Sequence, residues 1–188
     1  RQDNVYVVDM NNQRIQKFLP NGEFLLAFGD CEEEEQRLGM VFSSSIDTED
    51  NLWVADTPHH RIQVYDPNGK LLNSIAPKDL KHPVGICCLE NAEYFVADQS
   101  DDLIKRYDAG GNLLASLKRK EAGFGDLYII TFSHTYGIFA SDHWSSRILH
   151  LDSSLNIQGI YGNSGKRTGQ FNRVGWMDTR NDLLAVAD

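Results

Sequence analysis

The sequence predicts an all-β protein made of repeated four-stranded antiparallel sheets, and three observations lead to this prediction. The first is an aspartate, at the end of a short apolar phrase, that recurs at intervals of 47, 42, 44 and 46 residues: Asp9, Asp56, Asp98, Asp142 and Asp188. The second is an isoleucine six residues after four of these aspartates: Ile15, Ile62, Ile104 and Ile148. The third is that apolar runs of four to six residues, rich in Val, Ile, Tyr, Phe and Trp, alternate with Gly, Asn and Asp, which is typical of short strands joined by turns.

One period of the repeat contains four such strands. In the period that begins at residue 83, the predicted strands are PVGICCL, EYFVAD, LIKRYD and NLLASLK, in that order. The segment DAGGN joins the third strand to the fourth, and LPNGE and DPNGK occupy the same place in other periods. In these segments glycine supplies the positive φ that a tight hairpin turn needs. Four antiparallel strands in about 44 residues is the size of a propeller blade.

The whole chain follows this pattern and predicts seventeen strands, grouped as three, three sets of four, and two. The repeats cover approximately residues 4–50, 51–91, 92–135 and 136–182, with a partial one at 183–188. The phrases VADTPHHRIQVYDPNGKLL and YGNSGKRTGQFNRVGWMD resemble NHL repeats. That resemblance implies a six-bladed β-propeller of about 24 strands. We therefore expect the chain to cover about four blades of a ring whose remaining blades come from the parent protein.

Composition narrows the classes of function. The net charge of −9 is unfavourable for broad binding to a phosphate backbone, and we expect no DNA partner. Apolar runs are far shorter than the roughly 18 residues that span a bilayer, so we expect no membrane association. The chain has three cysteines, and the pair Cys87 and Cys88 lies in the apolar run VGICCLE. We predict reduced, structural thiols and a cytoplasmic location.

The repeated residues are best explained by structure. Recurrent Val, Ile, Phe and Tyr positions are predicted to form the core between blades, because each sheet face must be covered by its neighbour. The repeated aspartate is followed five residues later by Arg14, Arg61 and Arg147, although Leu103 takes this place in one repeat. Such a pair resembles a catalytic or ion-binding set. We interpret it instead as a turn in which a short acceptor caps nearby amides or the arginine.

The residues that vary between repeats are the better candidates for binding, since loops on a rigid scaffold carry recognition. In the fold that the resemblance implies, the loops between the second and third strands share one face with the loops between blades. On that face the sequence places the residues that we predict to bind a partner: His59, His60, Arg61, Lys118, Arg119, Lys120, His143, Trp144, Lys166, Arg167 and Arg173.

The charges of these loops leave two functions open. Residues 118–120 are basic, as are Lys166, Arg167 and Arg173 in a second loop, whereas Glu32 to Glu35 form an acidic run. Charged loops can simply be solvated. They can also bind single-stranded RNA when aromatic side chains such as Phe124 are interleaved with them. Phe171 stands in the phrase GQF and is predicted to be a buried anchor.

Enzymatic and metal sites have weaker support. Six histidines are present, but none has the spacing of a recognised zinc site: His59, His60, His82, His134, His143 and His150. The run Ser43 to Ser45 lacks a nucleophile elbow and is predicted to be a strand edge or turn. We predict no catalytic residue, no metal ligand and no cofactor. A metal-assisted lyase or esterase on a propeller scaffold remains a third possibility.

The function that the sequence favours is a non-catalytic scaffold that binds a protein partner through its loop face. The resemblance also implies a setting, because similar propellers form the substrate-selecting part of tripartite-motif ubiquitin ligases. Any ligase activity would then lie in other domains. Binding of single-stranded RNA is the main alternative.

Overall fold

The chain folds into five consecutive antiparallel sheets, and the computed structural model describes residues 3–99, 103–118, 120, 123, 125–180 and 183–188. The first sheet contains β1 (Val5–Asp9), β2 (Arg14–Phe18) and β3 (Phe24–Phe28). The second contains β4 (Val41–Ile46), β5 (Leu52–Asp56), β6 (Arg61–Tyr65) and β7 (Leu71–Ile75). The third contains β8 (Pro83–Cys88), β9 (Tyr94–Asp98), β10 (Leu103–Tyr107) and β11 (Leu113–Lys118). The fourth contains β12 (Leu127–Ser133), β13 (Gly137–Asp142), β14 (Arg147–Leu151) and β15 (Ile157–Tyr161), and the fifth β16 (Met177–Arg180) and β17 (Leu183–Val186).

These sheets are the predicted blades, which we call blades A to E in chain order. Each complete blade has its four strands in sequence order, and the described residues contain seventeen strands in the predicted grouping. The all-β fold with four-stranded antiparallel blades is therefore confirmed. Each predicted repeat of the sequence holds the last three strands of one blade and the first strand of the next, so neighbouring blades are linked through every repeat.

The core lies between the blades, as the repeated apolar positions predict. Four buried clusters follow one another along the chain, one at each junction of two blades. The recurrent isoleucines lie in them and are at most 2% exposed. Packing between blades is close: a Cβ added at Gly85 in β8 would lie 2.8 Å from the carbonyl oxygen of Tyr128 in β12. The first strands must therefore approach each other along a position without a side chain.

The first strands of the blades surround a central cavity of about 730 Å³. Ser43 and Ser45 lie here on β4, an edge strand of its sheet, and their hydroxyls accept hydrogen bonds from the backbone N–H groups of Ile86 and Cys88 at 3.3 and 3.0 Å. The serine run thus joins two neighbouring blades. Within the described parts of the chain, no helix is long and apolar enough to span a bilayer.

Candidate functional site: the loop face

The loops that connect second to third strands share one face of the molecule with the loops that connect blades. In the loop between β5 and β6, the hydroxyl of Thr57 donates to the carbonyl of Pro83, at the start of the next blade. In the loop between β13 and β14, Ser146 donates its hydroxyl hydrogen to the carbonyl of Asn172 at 2.8 Å. We call this surface the loop face; it consists of residues 10–13, 29–40, 57–60, 76–82, 143–146 and 162–176 together with the described parts of 99–102 and 119–126.

The repeated aspartate holds the loop face to its blade. Asp56 is fully buried and accepts hydrogen bonds from the backbone N–H of Gly39 at 3.0 Å and from Nε of Arg61 at 2.8 Å. Nδ1 of His59 lies 2.9 Å from the same carboxylate. Asp142 repeats the arrangement with the N–H of Gly125, at 2.8 Å. The aspartate thus ties together the loop that enters the blade, the turn after the second strand and the start of the third strand.

Blade C keeps this arrangement with a different cation. Leu103 stands where the other blades have arginine, and Nζ of Lys105 donates to Asp98 at 2.9 Å instead. Lys105 is 1% exposed, and the backbone N–H groups of Lys81 and His82 complete the site at 2.9 and 2.8 Å. Burial would raise the pKa of the Asp98 carboxyl, but these hydrogen bonds outweigh it and hold the pKa below its usual range. The contacts are those of a structural turn, as interpreted from the sequence.

Three of the predicted binding residues are engaged in the scaffold. His59 and Arg61 pair with Asp56, and Arg61 also donates to the carbonyl of Arg37 at 2.7 Å. Nδ1 of His60 donates to the carbonyl of Lys81 in the next loop between blades. The polar atoms of these side chains already make hydrogen bonds that hold loops in place, so fewer of them are available to a partner. Their role in binding stays a prediction.

The predicted basic set divides between two loops. Lys118 ends β11 on the outer edge of blade C, and Lys120 is exposed beyond it. Arg119 and Phe124 lie outside the described residues. Lys166, Arg167 and Arg173 are exposed on the loop of residues 162–176.

The loop of residues 162–176 is held in a defined shape. Phe171 packs against the cluster between blades D and E, as expected of an anchor. The backbone N–H of Gly165 donates to the carbonyl of Phe171 at 2.9 Å, and the N–H of Phe171 donates back to Asn163 at 2.9 Å. The basic side chains of this loop are therefore presented from a folded segment, at a small entropic cost of ordering on binding.

Arg173 meets an aromatic cluster that comes from blade D. Its guanidinium lies over the indole of Trp144, 4.6 Å from the ring centroid. The Trp144 ring packs edge-on against His143 at 5.3 Å, and His143 packs on Tyr128 at 5.0 Å. We call these four residues the Trp144 cluster. Trp144 is 59% exposed, which is unusual for a tryptophan on a folded domain.

His143 fixes the orientation of this cluster. Its Nδ1 lies 2.8 Å from the carbonyl oxygen of Val174, so Nδ1 carries a hydrogen and donates it to that oxygen. Sequence reasoning selected His143, Trp144 and Arg173 but did not select Tyr128, whose position in a strand favoured the core. The sequence did contain a signal, because Tyr128 and Phe42 are aromatic residues at the same position of two repeats. In the structure these two rings lie 6.2 Å apart.

The charge of the loop face changes from one side to the other. The acidic run Glu32 to Glu35 belongs to the loop before blade B, and the basic residues Lys166, Arg167 and Arg173 belong to the loop before blade E. Both runs are exposed. Among the residues that the structure describes, no group of three or more His, Cys, Asp or Glu side chains is arranged to hold a metal ion.

Comparisons with known proteins support the fold and the repeat. The family model of the NHL repeat matches residues 45–65, which confirms the resemblance that the sequence indicated. No curated protein sequence matches the chain significantly.

Solved structures of propeller proteins superpose well on this chain. Virginiamycin B lyase from Staphylococcus aureus has 17% identity and a TM-score of 0.64, with 84% of this chain and 51% of the lyase covered. A streptogramin B lyase has 13% identity and a TM-score of 0.67, with 85% and 51% covered. The WD40 domain of Neurospora crassa Pan2 has 12% identity and a TM-score of 0.71, with 99% and 52% covered. The chain spans about half the length of these structures, and at this identity the likeness establishes the fold alone.

Proposed function

We propose that this chain is part of a non-catalytic propeller scaffold that binds a protein partner through its loop face. The observation that carries the proposal is that different residues of that face make the structural contacts and form the exposed surface. The repeated residues make contacts within the scaffold, whereas Trp144 and Arg173 of the Trp144 cluster, together with Lys166 and Arg167 of the neighbouring loop, are exposed. A rigid surface with exposed aromatic and arginine side chains is the composition on which protein interfaces concentrate their binding energy.

The NHL resemblance supplies the setting for this proposal. In tripartite-motif ubiquitin ligases, similar propellers select the substrate while other domains carry the ligase chemistry. The chain described here would take the selecting role, in the cytoplasm, where its three cysteines would stay reduced. Its free cysteines are compatible with that setting.

Site-specific photo-cross-linking tests the proposal. A photoreactive amino acid is placed at Lys166 or at Glu34 on the loop face, and at Lys70 in the hairpin between β6 and β7 on the opposite face. Each variant is irradiated in cells, and cross-linked proteins are identified by mass spectrometry. We expect one protein to be cross-linked from a loop-face position and not from Lys70. Cross-links from Lys70 alone would place the contact surface elsewhere and contradict the proposal.

Single-stranded RNA is the second candidate, because Lys166, Arg167 and Lys120 are exposed on the same face as Trp144. Binding that depends on phosphate contacts weakens steeply with salt. Reversing the charge of Lys166 and Arg167 should then abolish it. Titration of a labelled single-stranded RNA between 50 and 200 mM salt, with Lys70→Glu as the control variant, decides the matter. Binding that is undetectable, or insensitive to salt, eliminates this candidate.

A further inference from the structure

The Trp144 cluster carries polar groups that the fold does not use. Within the described part of the chain, neither Nε1 of Trp144 nor the guanidinium of Arg173 has a hydrogen-bond or ion-pair partner. We propose that the Trp144 cluster binds an acidic segment of a partner protein, with a carboxylate of that segment on Arg173 and an adjacent apolar side chain on Trp144. This inference rests on the proposed function and names the chemistry of the partner.

The contact with Trp144 prepares Arg173 for a carboxylate. A guanidinium held over the face of an indole by a cation–π contact keeps N–H groups available on its solvent side for a second partner. That geometry is suited to a bidentate pair with an Asp or Glu side chain. Because Trp144 already restrains the arginine, less side-chain entropy is lost when the carboxylate binds. The contact therefore serves recognition as well as local packing.

The remaining surface of Trp144 supplies the apolar contact. Its indole is 59% exposed, while His143 supports one edge and is itself fixed by the carbonyl of Val174. An apolar side chain that lies against the indole would remove this surface from water, which favours binding in proportion to the area covered. Nε1–H at the rim can then donate to a backbone carbonyl of the bound segment.

Charge favours a short acidic protein segment over a nucleic acid. The basic residues Lys166 and Arg167 lie on the same loop as Arg173 and make no ion pair with any described residue. A polynucleotide long enough to cross the loop face would also meet the exposed run Glu32 to Glu35 and the net charge of −9. In addition, Arg173 covers one face of the Trp144 ring, which is a face that a base would need for stacking. A peptide can place its carboxylates on the basic part alone.

The test uses three labelled probes of equal length and fluorescence anisotropy as the readout. The first is a twelve-residue peptide of alternating Glu and Leu with one central Phe, the second is the same peptide with Gln for Glu, and the third is a twelve-nucleotide oligouridine. Each is titrated against the wild-type protein, Arg173→Glu, Arg173→Lys and Lys70→Glu. The last variant reverses an exposed charge on the opposite face and is the matched control.

We expect the acidic peptide to bind the wild type and Lys70→Glu equally, and to bind Arg173→Glu at least about tenfold more weakly, because an attractive charge pair becomes repulsive. Arg173→Lys should give an intermediate loss, since lysine keeps the charge but not the fork. The Gln peptide should bind at least about tenfold more weakly than the Glu peptide. Far-UV circular dichroism and thermal melting of each variant establish that the fold is kept.

Three results would overturn the inference. They are equal binding of the Glu and Gln peptides, an unchanged affinity of Arg173→Glu, and binding of the oligouridine in preference to the acidic peptide. The photo-cross-linking experiment separates this failure from failure of the proposed function. A partner that cross-links from Glu34 but is unaffected by Arg173→Glu would refute the acidic-segment site while the loop face still binds protein.

Discussion

Replacing Asp56 with alanine removes an acceptor on which three segments of blade B converge. The side chain is fully buried, and its partner Arg61 has a side chain that is 11% exposed. The substitution leaves the N–H of Gly39 and the guanidinium of Arg61 without this acceptor. Removing one member of a buried, hydrogen-bonded ion pair costs about 3–5 kcal/mol. Because Arg61 keeps the carbonyl of Arg37 as an acceptor, we expect a loss near the lower end, about 3 kcal/mol.

Urea denaturation followed by tryptophan fluorescence measures this loss as a lower transition midpoint at an unchanged slope. Asp56→Asn keeps the shape and one acceptor oxygen, so it should lose less and remains measurable if the alanine variant does not fold. Asp9→Ala is the matched control, since Asp9 makes the same kind of contact with Asn12 and Arg14 but its side chain is 19% exposed, whereas that of Asp56 is fully buried. Its substitution should be better tolerated.

The result that would refute the structural role of Asp56 is a stability change below about 1 kcal/mol, the range of exposed ion pairs, accompanied by a loss of partner binding. A structural role predicts the opposite: reduced stability with unchanged affinity in the fraction that remains folded. Cross-linking of the partner from Glu34, which lies in the loop that Asp56 holds to blade B, supplies that second readout when it is measured well below the melting temperature.

Three further predictions follow from the same contacts. The pKa of Asp98 is held low in the folded state, so the ionised carboxylate stabilises the fold fully above about pH 4, and this contribution is lost as the pH falls through the folded pKa. Asp98→Asn should therefore make the stability of the protein depend less on pH in the acid range. Thermal melting between pH 2 and 7 measures this dependence. Gly85→Val should lower stability by about 1–3 kcal/mol, the usual cost of overpacking, because its side chain would collide with the next blade. Burial raises the pKa of Cys87 and raises that of Cys88 to about 12. A thiol reagent at pH 8 should consequently label Cys31 in the native protein and Cys87 only after unfolding, and fast native labelling of Cys87 would contradict its buried position.

Most of the fold could be predicted from the sequence because the same four-stranded unit, with its apolar residues at the same positions, is repeated along the chain. The alternation of apolar residues sets the strands, and the spacing of the repeated aspartate sets the blades. Arg61 could also have been recognised as structural, since it stands in a column that Arg14 and Arg147 share. The replacement of arginine by Lys105 in blade C could also have been predicted, because the residues five and seven positions after the aspartate point to the same side of a strand. The structure shows the same geometry in blade A, where Gln16, seven positions after Asp9, donates a hydrogen bond to it.

The candidate site was predicted only as separate residues. Trp144 and Arg173 are 29 positions apart and belong to loops of different blades, so nothing local in the sequence pairs them. Their contact depends on the anchor Phe171, which shapes the loop, and on the hydrogen bond from His143 to Val174, which joins the two loops. Contacts of this kind arise from the closeness of neighbouring blades. They become visible only once the blades are placed side by side.

Besides the repeated aspartates, carbonyl oxygens of the main chain hold the loops of the loop face in place. The acceptors include the carbonyls of Arg37, Lys81, Pro83, Asn172 and Val174. Every amino acid offers the same carbonyl, so most substitutions at these acceptor positions leave the attachment intact. A propeller fastened in this way can acquire new specificities by exchanging loop residues while its architecture stays constant, which also makes it a suitable framework for a randomised loop library.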